Sequence, residues 1–316
     1  MRHFLKDDDL TRDEQLALIA SARRLKADRF ARQPLAGPKS VAVIFEKEST
    51  RTRMSFQVGI AELGGNPVVV DAKNSHLSRG ETIEDTARVL SRYVDAIVIR
   101  TFGDDRINAL AKASGVPVVN ALTDGYHPCQ LLADLLTIAE EFGEVAGRTI
   151  AYVGDAANNM SHSYLLAGAL AGAHVRVAGP SGYRPDPAIV ERANVLAAAS
   201  GGSAVVAADA PAAVDGADVV ATDTWVSMGQ NDREQRLSDL EDYRLDAALL
   251  SRAARHAIVL HCLPAHRGEE ITDEVIDGPR SRVFDQAENR LHAQKALLAW
   301  LMNPDMESTF PDGAAT

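Results

Sequence analysis

Nine short apolar runs, at 41–45, 67–70, 96–100, 116–119, 149–153, 174–178, 204–207, 218–222 and 257–261, alternate with amphipathic stretches such as 83–93, 104–113, 130–142, 158–171 and 187–200. Strands separated by helices return in the same direction, so the rhythm predicts parallel sheets covered by helices on both faces. Nine strands are many for one sheet of this kind, and 316 residues exceed the usual single core. The expected fold class is therefore α/β, with two doubly wound domains joined by bridging helices. The segment 130–142 carries Leu131, Leu132, Leu135, Leu136, Ile138 and Ala139 and ends near Gly143, which suits such a bridge. A final helix, about 287–302, is expected to return to the first half. The division drawn from this is 1–130 for the first domain and 131–288 for the second, with the C-terminal helix, about 289–316, packed back on the first.

Composition narrows the classes of function. Hydrophobic residues make up 46% of the chain, enough for sizeable cores and unlike a disordered chain. A net charge of -11 disfavours nucleic-acid binding. Two cysteines supply no disulfide framework and point to a reducing compartment. The first residues lack an apolar signal region, and no uncharged apolar run is long enough to span a bilayer. The expectation is a cytoplasmic protein that binds neither membrane nor nucleic acid.

The run Glu48-Ser49-Thr50-Arg51-Thr52-Arg53 follows the strand 41–45 and opens a helix-like segment, Met54 to Leu63, closed by Gly64-Gly65. A helix N-terminus presents unpaired N–H groups and the positive end of the macrodipole. Hydroxyls and guanidinium forks add directional donors, so the place suits a phosphate. It is no Walker loop, for the Gly-rich cradle and its Lys are missing. A capped helix with a basic first turn is the plainer reading, but two cations there oppose the dipole unless an anion neutralises them.

Other polar groups close strands, where open α/β sheets hold their ligands. Arg100 ends Ala96-Ile97-Val98-Ile99 and needs an acceptor, in a structural ion pair or in a ligand. His127 and Gln130 flank Pro128-Cys129 at the entry to the bridging helix, either packed or facing a common ligand. In the second half, Tyr152-Val153-Gly154-Asp155 leads into Asn158-Asn159-Met160 without the dinucleotide glycine fingerprint. Asp223 precedes the polar stretch Thr224 to Glu234, and suits either a substrate ammonium or a turn. His261-Cys262 closes the last strand. Neighbours on a strand point to opposite faces, so His261 is not expected to activate Cys262 as a nucleophile. Neither cysteine has the spacing of a zinc site, and no metal is expected.

Together these residues resemble the carbamoyltransferases over nearly the whole chain, from Ser-Thr-Arg-Thr-Arg to Glu288-Asn289-Arg290. The first motif and His127-Pro128-Cys129-Gln130 resemble the carbamoyl phosphate half of the superfamily. Asp223 with Trp225-Val226-Ser227-Met228-Gly229, and His261-Cys262-Leu263-Pro264, resemble its ornithine branch. The aspartate-specific relative carries a loop lysine that Ser75 to Glu81 lacks.

The resemblance implies transfer of a carbamoyl group from carbamoyl phosphate to the neutral δ-amine of ornithine, without metal or redox cofactor. It implies that Ser49, Thr50, Arg51 and Thr52 hold the phosphate, and that Arg100 spans phosphate and carbonyl oxygen. His127 and Gln130, in one segment with Pro128 and Cys129, orient the carbamoyl group. Arg290 approaches the same carbonyl, and Cys262-Leu263 receives the amine and the carbamoyl nitrogen. Asn159, Asp223, Ser227 and Met228 bind the α-amino and carboxylate groups of ornithine. The resemblance further implies a homotrimer with active sites shared between subunits. In it His76 stands where many members have glutamine, on a loop reaching the neighbour's carbamoyl phosphate, and the loop after Asp223 is a closing lid. Readings that remain beside this one are a carbamoyltransferase for putrescine or an acylated ornithine, a non-catalytic phosphate-ligand binding module, and a dinucleotide-dependent dehydrogenase.

Overall fold

The computed structural model describes residues 1–72, 80–227 and 231–303. His76 and Met228 lie outside the described residues.

The first half begins with α1 (Arg12–Ala27), capped by Thr11, whose hydroxyl accepts from the Glu14 N–H while the Glu14 carboxylate takes the Thr11 N–H. There follow β1 (Ser40–Phe45), α2 (Thr50–Glu62), β2 (Asn66–Asp71), α3 (Ile83–Leu90), β3 (Ala96–Arg100), α4 (Asp104–Ala113) and β4 (Val118–Leu122). The four strands form one parallel sheet in the order β2-β1-β3-β4. The long helix α5 (Pro128–Phe142) leads to the second half, starting on Pro128 and stopping at Gly143, whose φ of 84° favours glycine.

The second half contains β5 (Thr149–Val153), α6 (Asn159–Ala171), β6 (His174–Ala178), α7 (Pro187–Ser200), β7 (Ser203–Val206), α8 (Ala210–Val214) and β8 (Val219–Thr222). It continues with α9 (Arg233–Leu240), α10 (Ala247–Leu250), β9 (Ile258–His261), α11 (Asp273–Ile276) and α12 (Val283–Met302). Its five strands are parallel in the order β7-β6-β5-β8-β9. In each sheet the order reverses direction once, between β1 and β3 and between β5 and β8. Crevices for ligands form at the carboxyl ends of such pairs.

Alternate residues of the strands feed different cores. Val41, Val43 and Val98 face a large shared core with Ile150, Tyr152 and Val219 of the second sheet, filled by α1, α5, α6 and α12. Ala42, Ile44, Ile97 and Ile99 pack on the outer helices α3 and α4, and Ala151, Val153 and Val259 pack on α8, α10 and α11. The two sheets therefore share one interior along α5 and α12. The last helix starts at Val283, ends at Met302 and touches the first half directly. Fully buried Lys295 donates to a Glu62 carboxylate oxygen on α2 (2.7 Å) and to the Arg29 carbonyl (2.5 Å).

Two local readings differ from the sequence expectation. Helix α2 starts at Thr50, four residues before Met54, because the polar run itself forms the first turn. The polar stretch after Asp223 turns into a helix at Arg233: Asn231 to Glu234 are exposed, as their polarity predicts, but α9 buries Arg236, which pairs with Asp155 and donates from Nε to the Trp225 carbonyl (2.6 Å). That helix is polar apart from Leu237 and Leu240, so an apolar period was hard to see.

Candidate active site

The strand-to-helix turn after β1 is built around Ser49. It is the N-cap of α2, accepting from the Thr52 N–H (3.3 Å) and donating to the Thr52 hydroxyl (2.9 Å). No acidic residue lies in the first turn, so Arg51 and Arg53 stand at the positive end of the helix without a carboxylate from their own turn. Arg53 spreads over the Phe45 ring at 5.0 Å, which turns it back onto the strand. Arg51 remains on the crevice side, where it acts electrostatically on Arg100 and Arg290.

Arg100 closes β3 where the register against β4 slips by one residue, Ile99 pairing with Asn120 and Arg100 with Leu122. Such an irregularity re-aims a side chain at a strand end. Its Nε is buried without a partner among the described residues, and burial together with Arg290 lowers its pKa to about 10. Buried Arg290, from α12, donates to the Gln130 Oε1 (2.7 Å) and the Thr52 hydroxyl (2.6 Å). His127 is the N-cap of α5; its N–H donates to the Ser163 hydroxyl (2.9 Å), and its Nδ1 is buried without a partner among the described residues. Burial, then Arg290 and Arg100, holds the imidazole well below its usual range, so it is neutral at neutral pH. Three arginines and a neutral imidazole thus converge, an arrangement suited to an anion.

From the second half, Asp223 directly follows β8 and accepts a hydrogen bond from the Cys262 thiol (3.0 Å). The Asp223 carboxylate acts electrostatically on Arg100, so the two halves of the site meet. Leu263 has φ 59°, a left-handed conformation that costs a non-glycine residue about 1–2 kcal/mol. Its N–H is fixed by the His261 Nδ1 (2.9 Å), whose Nε2 bonds buried Glu270 (3.0 Å). An Nδ1 that accepts carries no proton, so Nε2–H donates to Glu270 and His261 serves the backbone, not the thiol. Donor atoms of Asp223, His261 and Cys262 nevertheless lie within 4.8 Å of one another, a proximity that chain spacing did not reveal. Both nitrogens of His261 are already committed, which leaves only the Asp223–Cys262 pair to offer a cation.

The remaining expected residues fall in two groups. Asn159 opens α6 and donates from Nδ2 to the Thr123 carbonyl (2.8 Å), bringing the second half against the first. Ser227 is half-buried on the segment after Trp225. Gly154 (φ 127°) lets the Trp225 indole close on β5: a Cβ there would stand 3.2 Å from its Nε1. Cys129 instead turns away, its thiol donating to the Asn120 carbonyl (3.2 Å), and Pro128 packs as the first residue of α5.

The geometry is matched by kinship. Residues 2–140 match the family model described as the aspartate/ornithine carbamoyltransferase carbamoyl-P binding domain, and residues 146–301 match that of its Asp/Orn binding domain. The chain belongs to the aspartate/ornithine carbamoyltransferase family. It is 60% identical to the ornithine carbamoyltransferase of Acidothermus cellulolyticus over 304 residues, covering 96% of this chain and 97% of that one. It is 57% identical to the ornithine carbamoyltransferase of Mycolicibacterium smegmatis over 303 residues, 96% and 99% of the two chains. The anabolic ornithine carbamoyltransferase of Campylobacter jejuni superposes with a TM-score of 0.91 at 39% identity, covering 96% of this chain and all of the other (100%).

Members of the sequence that reasoning missed stand behind these residues. Asp134, Gln286, Ser163 and Glu270 hold Gln130, His261 and His127 in place. Only Asp134 left a trace, as a lone acid inside the apolar run Leu131 to Ile138. The two thiols give a first prediction. Burial pushes Cys129 up to about 12, and burial with Asp223 pushes Cys262 well above its usual value. Neither thiol is expected to react with Ellman's reagent at about pH 8 in the native protein, and both react once it is unfolded. A rapidly reacting native thiol contradicts this assignment.

Proposed function

We propose that this chain transfers the carbamoyl group of carbamoyl phosphate to the δ-amine of L-ornithine, giving L-citrulline and phosphate. The observation that carries the reading is the meeting of Arg51, Arg100 and Arg290 with neutral His127 on one side and Asp223–Cys262 on the other. The helix turn Ser49-Thr50-Arg51-Thr52 takes the phosphate, and Asn159, Asp223, Ser227 and Met228 take the α-amino and carboxylate groups of ornithine. Residues 1–130 with the returning C-terminal helix form the carbamoyl phosphate half, and 131–288 the ornithine half.

The neutral δ-nitrogen attacks the carbonyl carbon and negative charge develops on its oxygen. Arg100, Arg290 and an imidazole N–H of His127 meet that oxygen, and pre-aimed donors of this kind are worth about 10²–10³ in rate each. The carbon–oxygen bond to phosphate then breaks, phosphate departs against the cationic turn, and it takes up the proton lost by nitrogen. His127 is suited to this task because it donates without adding a further positive charge. Positioning and electrostatics supply the acceleration.

Kinship with an anabolic enzyme favours the direction of arginine biosynthesis. The working assembly is a homotrimer in the cytoplasm, in which His76 reaches the neighbouring subunit's carbamoyl phosphate in place of glutamine. His76→Ala is expected to raise KM for carbamoyl phosphate; an unchanged KM makes His76 a bystander. Among the described residues no helix is long and apolar enough to cross a membrane.

The amine pocket is tested by initial rates with ornithine, putrescine and N-acetylornithine at equal concentration. Ornithine is expected to exceed both by orders of magnitude. A preference for either competitor moves the assignment to another amine, and binding of carbamoyl phosphate without any turnover supports a non-catalytic module.

A further inference from the structure

Asp134 lies in the middle of α5, fully buried, with apolar residues on either side along the helix. Its Oδ1 accepts from Gln130 Nε2 (2.8 Å) and Gln286 Nε2 (2.6 Å), and its Oδ2 accepts from the Tyr164 hydroxyl (2.5 Å). The two glutamines come from different helices and serve different parts of the cleft. Gln130 Oε1 accepts from Arg290 Nη1 (2.7 Å), beside the arginine cluster. Gln286 Oε1 accepts from the N–H of His261 (2.8 Å), at the corner that leads to Cys262 and Leu263.

We propose that Asp134 is a positioning residue that fixes the polarity of both amides and, through Gln130, makes the site select a carbamoyl group over an acyl group. The selection rests on the carbamoyl phosphate reading above. An ionised carboxylate only accepts hydrogen bonds, so each glutamine must turn its NH2 end toward Asp134 and its carbonyl end away. A flipped Gln130 sets oxygen against carboxylate and NH2 against guanidinium, two repulsive contacts in a buried place. The carbonyl oxygen of Gln130 has two lone pairs, and Arg290 occupies one. The other is an acceptor for a substrate N–H. A carbamoyl group offers that N–H; an acetyl group of nearly the same shape offers only a methyl. A buried acceptor left unpaired by the wrong ligand discriminates more strongly than shape does.

Asn at 134 keeps the volume but removes this instruction. Its own amide can present NH2 to either glutamine, so both orientations of Gln130 become accessible. The groups that face Asp134 are Gln130 on its own helix, Tyr164 on α6, Gln286 and Arg290 on α12, and Cys262 after β9. Burial holds Asp134 up to about 6, whereas Tyr164 and Cys262 are pushed well above their usual ranges and Arg290 stays cationic. The preference for carbamoyl over acetyl is therefore expected to fade as pH falls through about 6. The two acyl phosphates ionise alike, so their ratio cancels the titration of the ligands themselves.

The experiment is calorimetric titration of the full-length protein with carbamoyl phosphate, acetyl phosphate and inorganic phosphate, for wild type, Asp134→Asn and Tyr164→Phe. The ratio of acetyl to carbamoyl dissociation constants is expected to fall about 10-fold or more in Asp134→Asn; in Tyr164→Phe, which loses the hydroxyl that favours the ionised carboxylate, the same fall is expected to begin at a higher pH than in the wild type. Inorganic phosphate, held by the α2 turn, binds all three alike. An unchanged ratio in Asp134→Asn, or equal weakening of all three ligands, overturns the proposal. Should Asp134→Asn fail to fold, the wild-type ratio between about pH 5 and 8 reads the same switch, and a flat ratio overturns the proposal. Binding is measured without ornithine, so failure of the transfer reaction is told apart from failure of this inference.

Discussion

Replacing Arg100 with methionine is expected to lower kcat/KM by about 10²–10³-fold or more while leaving the ligand-free protein no less stable than the wild type. The two effects share one cause. Arg100 is mostly buried, its Nε is unpartnered among the described residues, and Arg290 and Arg51 stand beside it as like charges. Burial of an unpaired cation opposes folding, so the fold holds these guanidinium groups in readiness at the expense of stability. A dianion relieves that repulsion. Carbamoyl phosphate at about 100 times its Kd is expected to stabilise the wild type by about 2.7 kcal/mol, and to do so less in the variant at the same concentration. Calorimetric unfolding with and without ligand, beside steady-state rates, measures both sides. A ligand-free variant that unfolds well below the wild type yet keeps its kcat/KM gives Arg100 a structural task instead.

The second large effect is expected at Lys295. Its ammonium is fully buried on α12, bonded to Glu62 of α2 and to the Arg29 carbonyl, and Glu62 is also paired with Arg29. Lys295→Met leaves a buried carboxylate with one partner on its exposed side, and breaking such a pair costs about 3–5 kcal/mol. Arg29 remains, which favours the lower end. Removing both charges, as in Lys295→Met with Glu62→Leu, is expected to recover most of the loss, because no unpaired charge remains. Reversible denaturant unfolding of the single and double variants decides the matter. A double variant less stable than Lys295→Met alone contradicts the ion-pair account. Helix α2 carries at its other end the turn proposed above to take the phosphate, so α12 grips it twice, by Arg290 at Thr52 and by Lys295 at Glu62.

What was legible in the sequence was whatever has a local period or a local cap. The nine strands appear where β-branched runs stand, and α7 spans the residues 187–200 that its pattern marks. Ser49 as cap and Gly143 as stop follow from backbone chemistry at helix ends. The polar turn was harder: Thr50 to Arg53 carries no apolar period, so the helical pattern begins four residues after α2 itself does. The framework behind the site was hidden for a different reason. Asp134 meets Gln286 across 152 positions of chain, and His127 meets Ser163 across 36. Bonds of that span leave no pattern in any window. Glu270 orienting His261 is nearer in sequence, yet a loop acid at that spacing looks like any surface carboxylate until the fold buries it. Charged residues fixed by distant partners, as Arg236 is by Asp155, escape in the same way.

The most direct test follows the reacting carbon itself. Carbamoyl phosphate labelled with ¹³C at the carbonyl is mixed with L-ornithine and purified protein, with no metal or cofactor added, and observed by NMR. The account predicts that the label moves into the ureido carbon of citrulline as phosphate is released, at a rate set by the enzyme. Label that decays only to bicarbonate or cyanate, at the rate seen without protein, contradicts it.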